Sequence, residues 1–201
     1  MRKPNKRDKI VEVASNIVKQ QGVAALTFEA VAKDMGVTKQ AIIYYFSSKP
    51  KLLEAMFLPH IEAEAAAAIQ CLQSLSSGEN AAAAFSRAII NFHLSDLDRF
   101  RSMYLAPQLE AQKGIKSKLL DEGFAGRVHE VTSGIYDVLS SFLQTEMGLT
   151  LEAARRRAFV LHTNALGLVL MQSLADAIDD PLAHDVEELT ASLAEMVASK
   201  V

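Results

Sequence analysis

Between residues 27 and 49 the chain sets hydroxyls, an amine and an amide where they could meet a polyanion. Lys39 and Gln40 stand side by side, Thr27 and Thr38 each precede a short apolar-periodic segment, and Tyr44 lies four residues beyond Gln40. A glutamine amide can pair bidentately with adenine, and a lysine ammonium favours guanine or a phosphate oxygen. Threonine and tyrosine hydroxyls reach phosphates. This chemistry requires the groups to share an exposed face of a rigid element.

The surrounding residues supply such elements. Phe28, Val31, Ala32 and Met35 recur at i, i+3, i+4 and i+7, predicting a helix over 28–35 with Thr27 as its N-cap. Gly36 follows, where a helix terminus favours a left-handed backbone. Val37 is apolar and can anchor the turn, and Thr38 caps a second helix over 39–45. In it Ala41, Ile42 and Tyr45 or Phe46 can face the core, leaving Lys39, Gln40 and Tyr44 outside. Two helices joined by a short turn with glycine describe a helix-turn-helix, whose second helix enters the DNA major groove.

With these parts in register, residues 7–55 resemble the tetracycline-repressor (TetR) family of bacterial transcription regulators. The resemblance is carried by Thr27, Gly36-Val37-Thr38, the helix Lys39 to Tyr45, Tyr44-Tyr45-Phe46 and Ser47-Ser48-Lys49. It implies phosphate contacts from Thr27, Thr38, Tyr44, Tyr45 and Lys49, and base contacts from Lys39, Gln40 and Ala41, whose methyl could touch a thymine. Ile43 departs from the pattern, standing where the family has a tyrosine that touches the DNA backbone.

Charge agrees with a division of labour. The net charge is −3, but residues 1–51 hold ten Lys/Arg against four Asp/Glu (+6), while residues 52–201 hold eleven against twenty (−9). A basic head on an acidic body is expected when one end meets phosphate. The run Arg2, Lys3, Lys6, Arg7, Lys9 is either a solvated tail or an arm reaching neighbouring phosphates or the minor groove. The single cysteine, Cys71, excludes an intramolecular disulfide, suits a reducing cytoplasm and is expected to be buried and structural. The start of the chain does not read as a signal peptide. The apolar stretch 158–178 is long enough to span a bilayer, yet His162, Asn164, Gln172 and Asp176 would be expensive in lipid, so a buried helix is expected.

Half the residues are hydrophobic and no strand alternation is evident, so the fold class is all-α. We expect a three-helix DNA-binding domain over 1–50 and a ligand-binding and dimerisation domain over 51–201. A first helix spans about 7–21. A fourth starts near Ser47-Ser48, with Pro59 kinking or locally breaking it at the junction. Further helices are expected over about 79–94, from Asp96 or Asp98 to near Pro107, from Ile115 to Thr145, from Thr150 to Ile178, and over 184–199. That makes about six in the body, as the resemblance implies.

The helix 151–178 is apolar almost all round and must be covered on more than one side. Ala158, Ala165 and Gly167 would permit close helix approach, and Leu189, Leu193 and Met196 belong to an apolar stripe on the last helix. Paired across a two-fold axis, these two helices would form a homodimer interface of the kind the family uses. Such a dimer sets two recognition helices about 34–36 Å apart on a palindromic operator of double-stranded DNA.

The resemblance also implies a small-molecule effector that opposes DNA binding. Phe92, His93, Met103, Tyr104, His129, Tyr136, His162 and Asn164 are the candidate ligand handles, and their apolar setting points to a hydrophobic or aromatic molecule. His93, His129 and His162 are too widely spaced for a metal motif, so no metal or cofactor is expected. No nucleophile elbow, phosphate loop or dinucleotide fingerprint points to an enzyme. Two other classes remain: a helix-turn-helix protein controlled by protein partners, and a small helical enzyme. Localisation is expected in the bacterial cytoplasm, at the nucleoid and away from membranes.

Overall fold

A computed structural model describes residues 5–105, 123–179 and 185–198. Among these residues there are nine α-helices and no strand. They are α1 (Lys6–Gln21), α2 (Phe28–Met35), α3 (Lys39–Tyr45), α4 (Lys49–Gln73), α5 (Ala81–Leu94), α6 (Leu97–Phe100), α7 (Phe124–Met147), α8 (Leu151–Ala177) and α9 (Val186–Ala198). A π-helical turn, Arg101–Leu105, follows α6. Expected elements at Pro107, Ile115 and His184 fall outside the described residues.

Local chemistry sets most boundaries. Asn5 caps α1 by accepting from Asp8 N–H, and Asn80 caps α5 by accepting from Ala83 N–H at 2.8 Å. Thr150 caps α8 after Gly148 has turned the chain at φ +66°. Asp185 accepts from the backbone N–H groups of Glu187 and Glu188 at the head of α9. Each supplies a partner to donors that a helix start leaves open.

Of the kink or local break expected at Pro59, the break does not occur: α4 runs on through it. Its ring removes one backbone donor, but Met56, Phe57, His60 and Ile61 on either side are buried. Burial of those neighbours holds the turn against the proline's local cost. Gly126 lies inside α7.

The chain folds as two compact units, Met1–His60 with Asp98–Val128, and Ile61–Leu97 with His129–Val201. In the first, Ile10, Ala14, Ile17 and Val18 of α1 form a buried stripe, with Leu26, Val31, Ile42, Phe46, Leu52 and Leu53 also in the core. Glu54 of α4 ties this unit further, pairing with Lys51 at 3.2 Å and with Arg127 at 2.7 Å.

In the second unit the core is built from Ala68 and Leu72, Phe85, Ile89 and Ile90, Ile135 and Leu139, and Leu161 and Val169. One face of α8 lies in that core, carrying Ala154, Ala158, Leu161, His162, Ala165 and Val169. The opposite face exposes Phe159, Val160, Met171, Leu174 and Ile178. By length and composition α8 could cross a membrane. Its buried face instead places His162 among partners of its own unit.

Ala158 and Ala165 therefore correct an expectation. Both are fully buried within the second unit, so their small side chains serve its own packing and are not available to another copy. Leu193 is buried in the same way, whereas Gly167 and Met196 are exposed and Leu189 is half-buried. Cys71 is half-buried rather than buried, with Sγ 3.5 Å from the Ala84 carbonyl. Burial pushes its thiol up from the ordinary range, which does not favour the reactive thiolate.

Candidate functional site

The first candidate surface is built by two capped helices and the turn between them. The Thr27 hydroxyl accepts from Ala30 N–H at 3.0 Å and the Thr38 hydroxyl from Ala41 N–H at 3.2 Å. Gly36 takes φ +63°, ψ +35°, so the chain reverses at a residue without a Cβ to clash. Ile42 and Phe46 are the anchors, buried beside the apolar face of α2. With α3 pinned on that side, Thr38, Lys39, Gln40 and Tyr44 are exposed, Tyr44 to 83%.

Ala41, Ile43 and Tyr45 are half-buried, and Tyr45 packs edge-on against Tyr44 with ring centroids 5.1 Å apart. Arg7 of the basic N-terminal run lies over the Phe46 ring at 5.0 Å, a cation–π contact that ties α1 to the end of α3. Arg2 and Lys3 lie outside the described residues. Lys49 is half-buried, and its ammonium donates to the Val23 carbonyl at 2.8 Å. It thus links α4 to the turn after α1, a structural role the sequence did not disclose.

Lys39 has a partner that the sequence reading missed. Its ammonium lies 2.5 Å from the Glu29 carboxylate on α2, with both side chains more than half exposed. That hydrogen bond holds the Glu29 carboxyl below its ordinary range. The only clue in the sequence was an acidic residue ten positions before a lysine, each in the first turn of its helix.

The second candidate site is interior. Glu64 of α4 is 2% exposed. His162 Nε2 on α8 lies 3.0 Å from its Oε1, and His93 Nε2 on α5 lies 3.4 Å from its Oε2. Tyr136 of α7 completes the cluster, its hydroxyl 2.9 Å from His162 Nδ1. Phe85 closes one side, edge-on to His162 at 5.7 Å, and Phe92 lies edge-on to His93 at 5.3 Å. Four helices therefore each contribute one polar group to an apolar interior.

The electrostatics follow from that placement. Burial alone would raise the Glu64 carboxyl, but the two imidazoles outweigh it and hold it at about 2. An ionised Glu64 can only accept, so a close Nε2 bond requires the proton on that nitrogen. In a neutral His162, Nδ1 is then the acceptor for the Tyr136 hydroxyl. Burial, with Glu64 adding to it, raises the Tyr136 hydroxyl above its ordinary range and keeps it protonated.

Of the expected ligand handles, His93, Tyr136 and His162 thus come together, with Phe92 beside them. Others do not join. His129 and Asn164 are exposed, while Met103 and Tyr104 belong to the other unit, where Tyr104 stacks on Phe100 at 4.9 Å. Glu64 went unrecognised inside an alanine-rich run. Its signal was its phase, three residues after Ile61 and four before Ala68, both buried. Among the described residues no group of His, Cys, Asp and Glu side chains is arranged to hold a metal ion.

Comparison with known proteins joins these observations to a family. Residues 10–56 match the family model described as bacterial regulatory proteins, tetR family. A 56-residue segment is 36% identical to the nucleoid occlusion factor SlmA of Aliivibrio fischeri. That match covers 27% of this chain and spans only 29% of the relative's length.

Similar folds extend over nearly the whole chain. The fatty acid degradation regulator FadR of Bacillus halodurans gives a TM-score of 0.69 at 16% identity, covering 99% of this chain and 97% of its own. FadR of Bacillus subtilis, in complex with stearoyl-CoA, gives 0.67 at 16% identity, covering 98% and 100%. At these identities the likeness is one of fold.

Proposed function

We propose, from the match of residues 10–56 to the tetR family of bacterial regulatory proteins, that the chain is a repressor of that family. In this reading it binds a palindromic operator as a homodimer and is released by a small, largely apolar effector. The observation that carries the DNA half is the division of α3, with Ile42 buried while Lys39, Gln40 and Tyr44 face outward from a helix capped by Thr38. Lys39, Gln40 and Ala41 meet base edges in the major groove. Thr27, Thr38, Tyr44, Tyr45 and Lys49 meet phosphates.

The dimer surface is the exposed side of α8. Val160, Gly167, Met171, Leu174 and Ile178 recur at three-, four- and seven-residue steps on that face, and Met196 of α9 is 74% exposed. An apolar stripe of this kind favours burial against a second copy.

The effector half is supported by the polar cluster in the second unit. An apolar molecule with one polar end would find its anchor among Tyr136, His162 and His93. A long-chain acyl-CoA, which one protein of similar fold holds, is the first molecule to try. Ligand and operator must oppose each other reciprocally, typically by about 1–3 kcal/mol.

The test is selection of bound duplexes from random DNA, repeated with long-chain acyl-CoA and a panel of apolar metabolites. Enrichment of an inverted repeat, lost when Met171→Glu gives a monomer in sedimentation, is the expected result. Enrichment of a non-repeated site by a monomeric wild type would overturn the reading. Selective DNA binding that no small molecule relieves would favour control by a protein partner.

A further inference from the structure

The pairing of Lys39 with Glu29 places an acid in the surface assigned to DNA, and it needs a reason. Any carboxylate there repels phosphate, so it weakens binding to all sequences alike. A lysine with no such partner is a mobile point charge on a four-carbon stem, drawn to whichever phosphate is nearest. We propose that Glu29 is a specificity-determining residue, holding the Lys39 ammonium at the head of α3 as an oriented hydrogen-bond donor rather than a phosphate-seeking cation. This proposal rests on the DNA-binding reading.

Three observations carry it. Glu29 lies in the first turn of α2 and Lys39 in the first turn of α3, so the pair bridges the starts of the two helices of the motif. At 2.5 Å the ammonium and the carboxylate are in direct contact as an ion pair, with no room for an intervening water. Lys49 and Lys51 of the same unit are likewise held, Lys49 on the Val23 carbonyl and Lys51 on Glu54. The ammonium has three donors, and one on Glu29 leaves two for a base edge. Guanine O6 and N7 are the acceptors such a donor suits. With its charge locally balanced, Lys39 gains less from displacing counterions at a phosphate and relatively more from a directed bond.

The test uses the full-length protein with two probes, a duplex selected from random DNA by the wild type and a scrambled duplex of the same composition, at several salt concentrations. Glu29→Gln is expected to tighten binding to both duplexes and to steepen the salt slope by roughly one, as one more uncompensated cation would. The ratio between the duplexes should fall by about fivefold or more, the lower end of one base-edge contact. Glu29→Ala, which removes the acceptor as well as the charge, should lower the ratio further. In a Lys39→Ala background neither change should alter the ratio.

An unchanged ratio in both single variants, with the wild type still selective, would overturn the proposal and leave DNA binding standing. A loss of ratio that persists without Lys39 would mean that Glu29 acts on DNA by itself, and would overturn it too. A wild type that selects no duplex at all would remove the parent reading, and this proposal with it.

Discussion

Glu29 and Glu64 are both glutamates held by nitrogen donors, at 2.5 Å in one case and at 3.0 and 3.4 Å in the other. They differ in surroundings. Around Glu29, water screens the charge, and an exposed ion pair of this kind adds little to folding. Its effect falls on whatever next approaches the surface, which under the proposed function is DNA. Around Glu64 there is almost no water, so an unpartnered carboxylate would be very costly and its imidazole partners become obligatory. The same pairing therefore tunes recognition at the surface and fixes the arrangement of four helices in the interior.

The largest effect that would sharpen this contrast is expected from Glu64→Ala. It removes the shared acceptor of two buried imidazoles, and urea unfolding should show a loss of about 3–5 kcal/mol. A loss under about 1 kcal/mol would mean that the cluster is a replaceable packing feature.

Next in size is the pH dependence. The Glu64 carboxyl titrates at about 2 in the folded chain against an ordinary 4.5, so on acidification the unfolded chain takes up this proton first. Its contribution is whole above the ordinary value, declines as pH falls, and is gone once pH passes the folded value. The difference in unfolding free energy between wild type and Glu64→Gln should accordingly narrow from about pH 5 down to about pH 2. A difference that stays constant over that range would separate Glu64 from its imidazoles.

At the small end, Glu29→Gln should leave the melting temperature unchanged while altering DNA selectivity. A clear fall in melting temperature would break the comparison, because the exposed pair would then be holding the helix-turn-helix together.

Much of the first unit was legible because its signals are local. The predicted limits of α2 and α3 agree with the structure, since a cap, an apolar repeat and a glycine act within a few residues of one another. Lys49 shows where that legibility ends, because its bond to the Val23 carbonyl spans 26 residues. In the second unit, His93, Tyr136 and His162 stand out in the sequence only singly, as polar groups in apolar helices, with nothing local to give any of them a partner. Ala158 and Ala165 are ambiguous in the sequence, because small residues permit close approach both within one chain and between two copies.

The sequence by itself determined the helical class, the helix-turn-helix and the basic head, since periodicity, capping and net charge are properties of adjacent residues. Tertiary structure alone decided that Glu64 meets two imidazoles, that Glu29 holds Lys39, and which side of α8 is left open. The physical reason is that a repeat of 3.6 shows which residues share a face, whereas what that face meets is fixed only when distant segments pack.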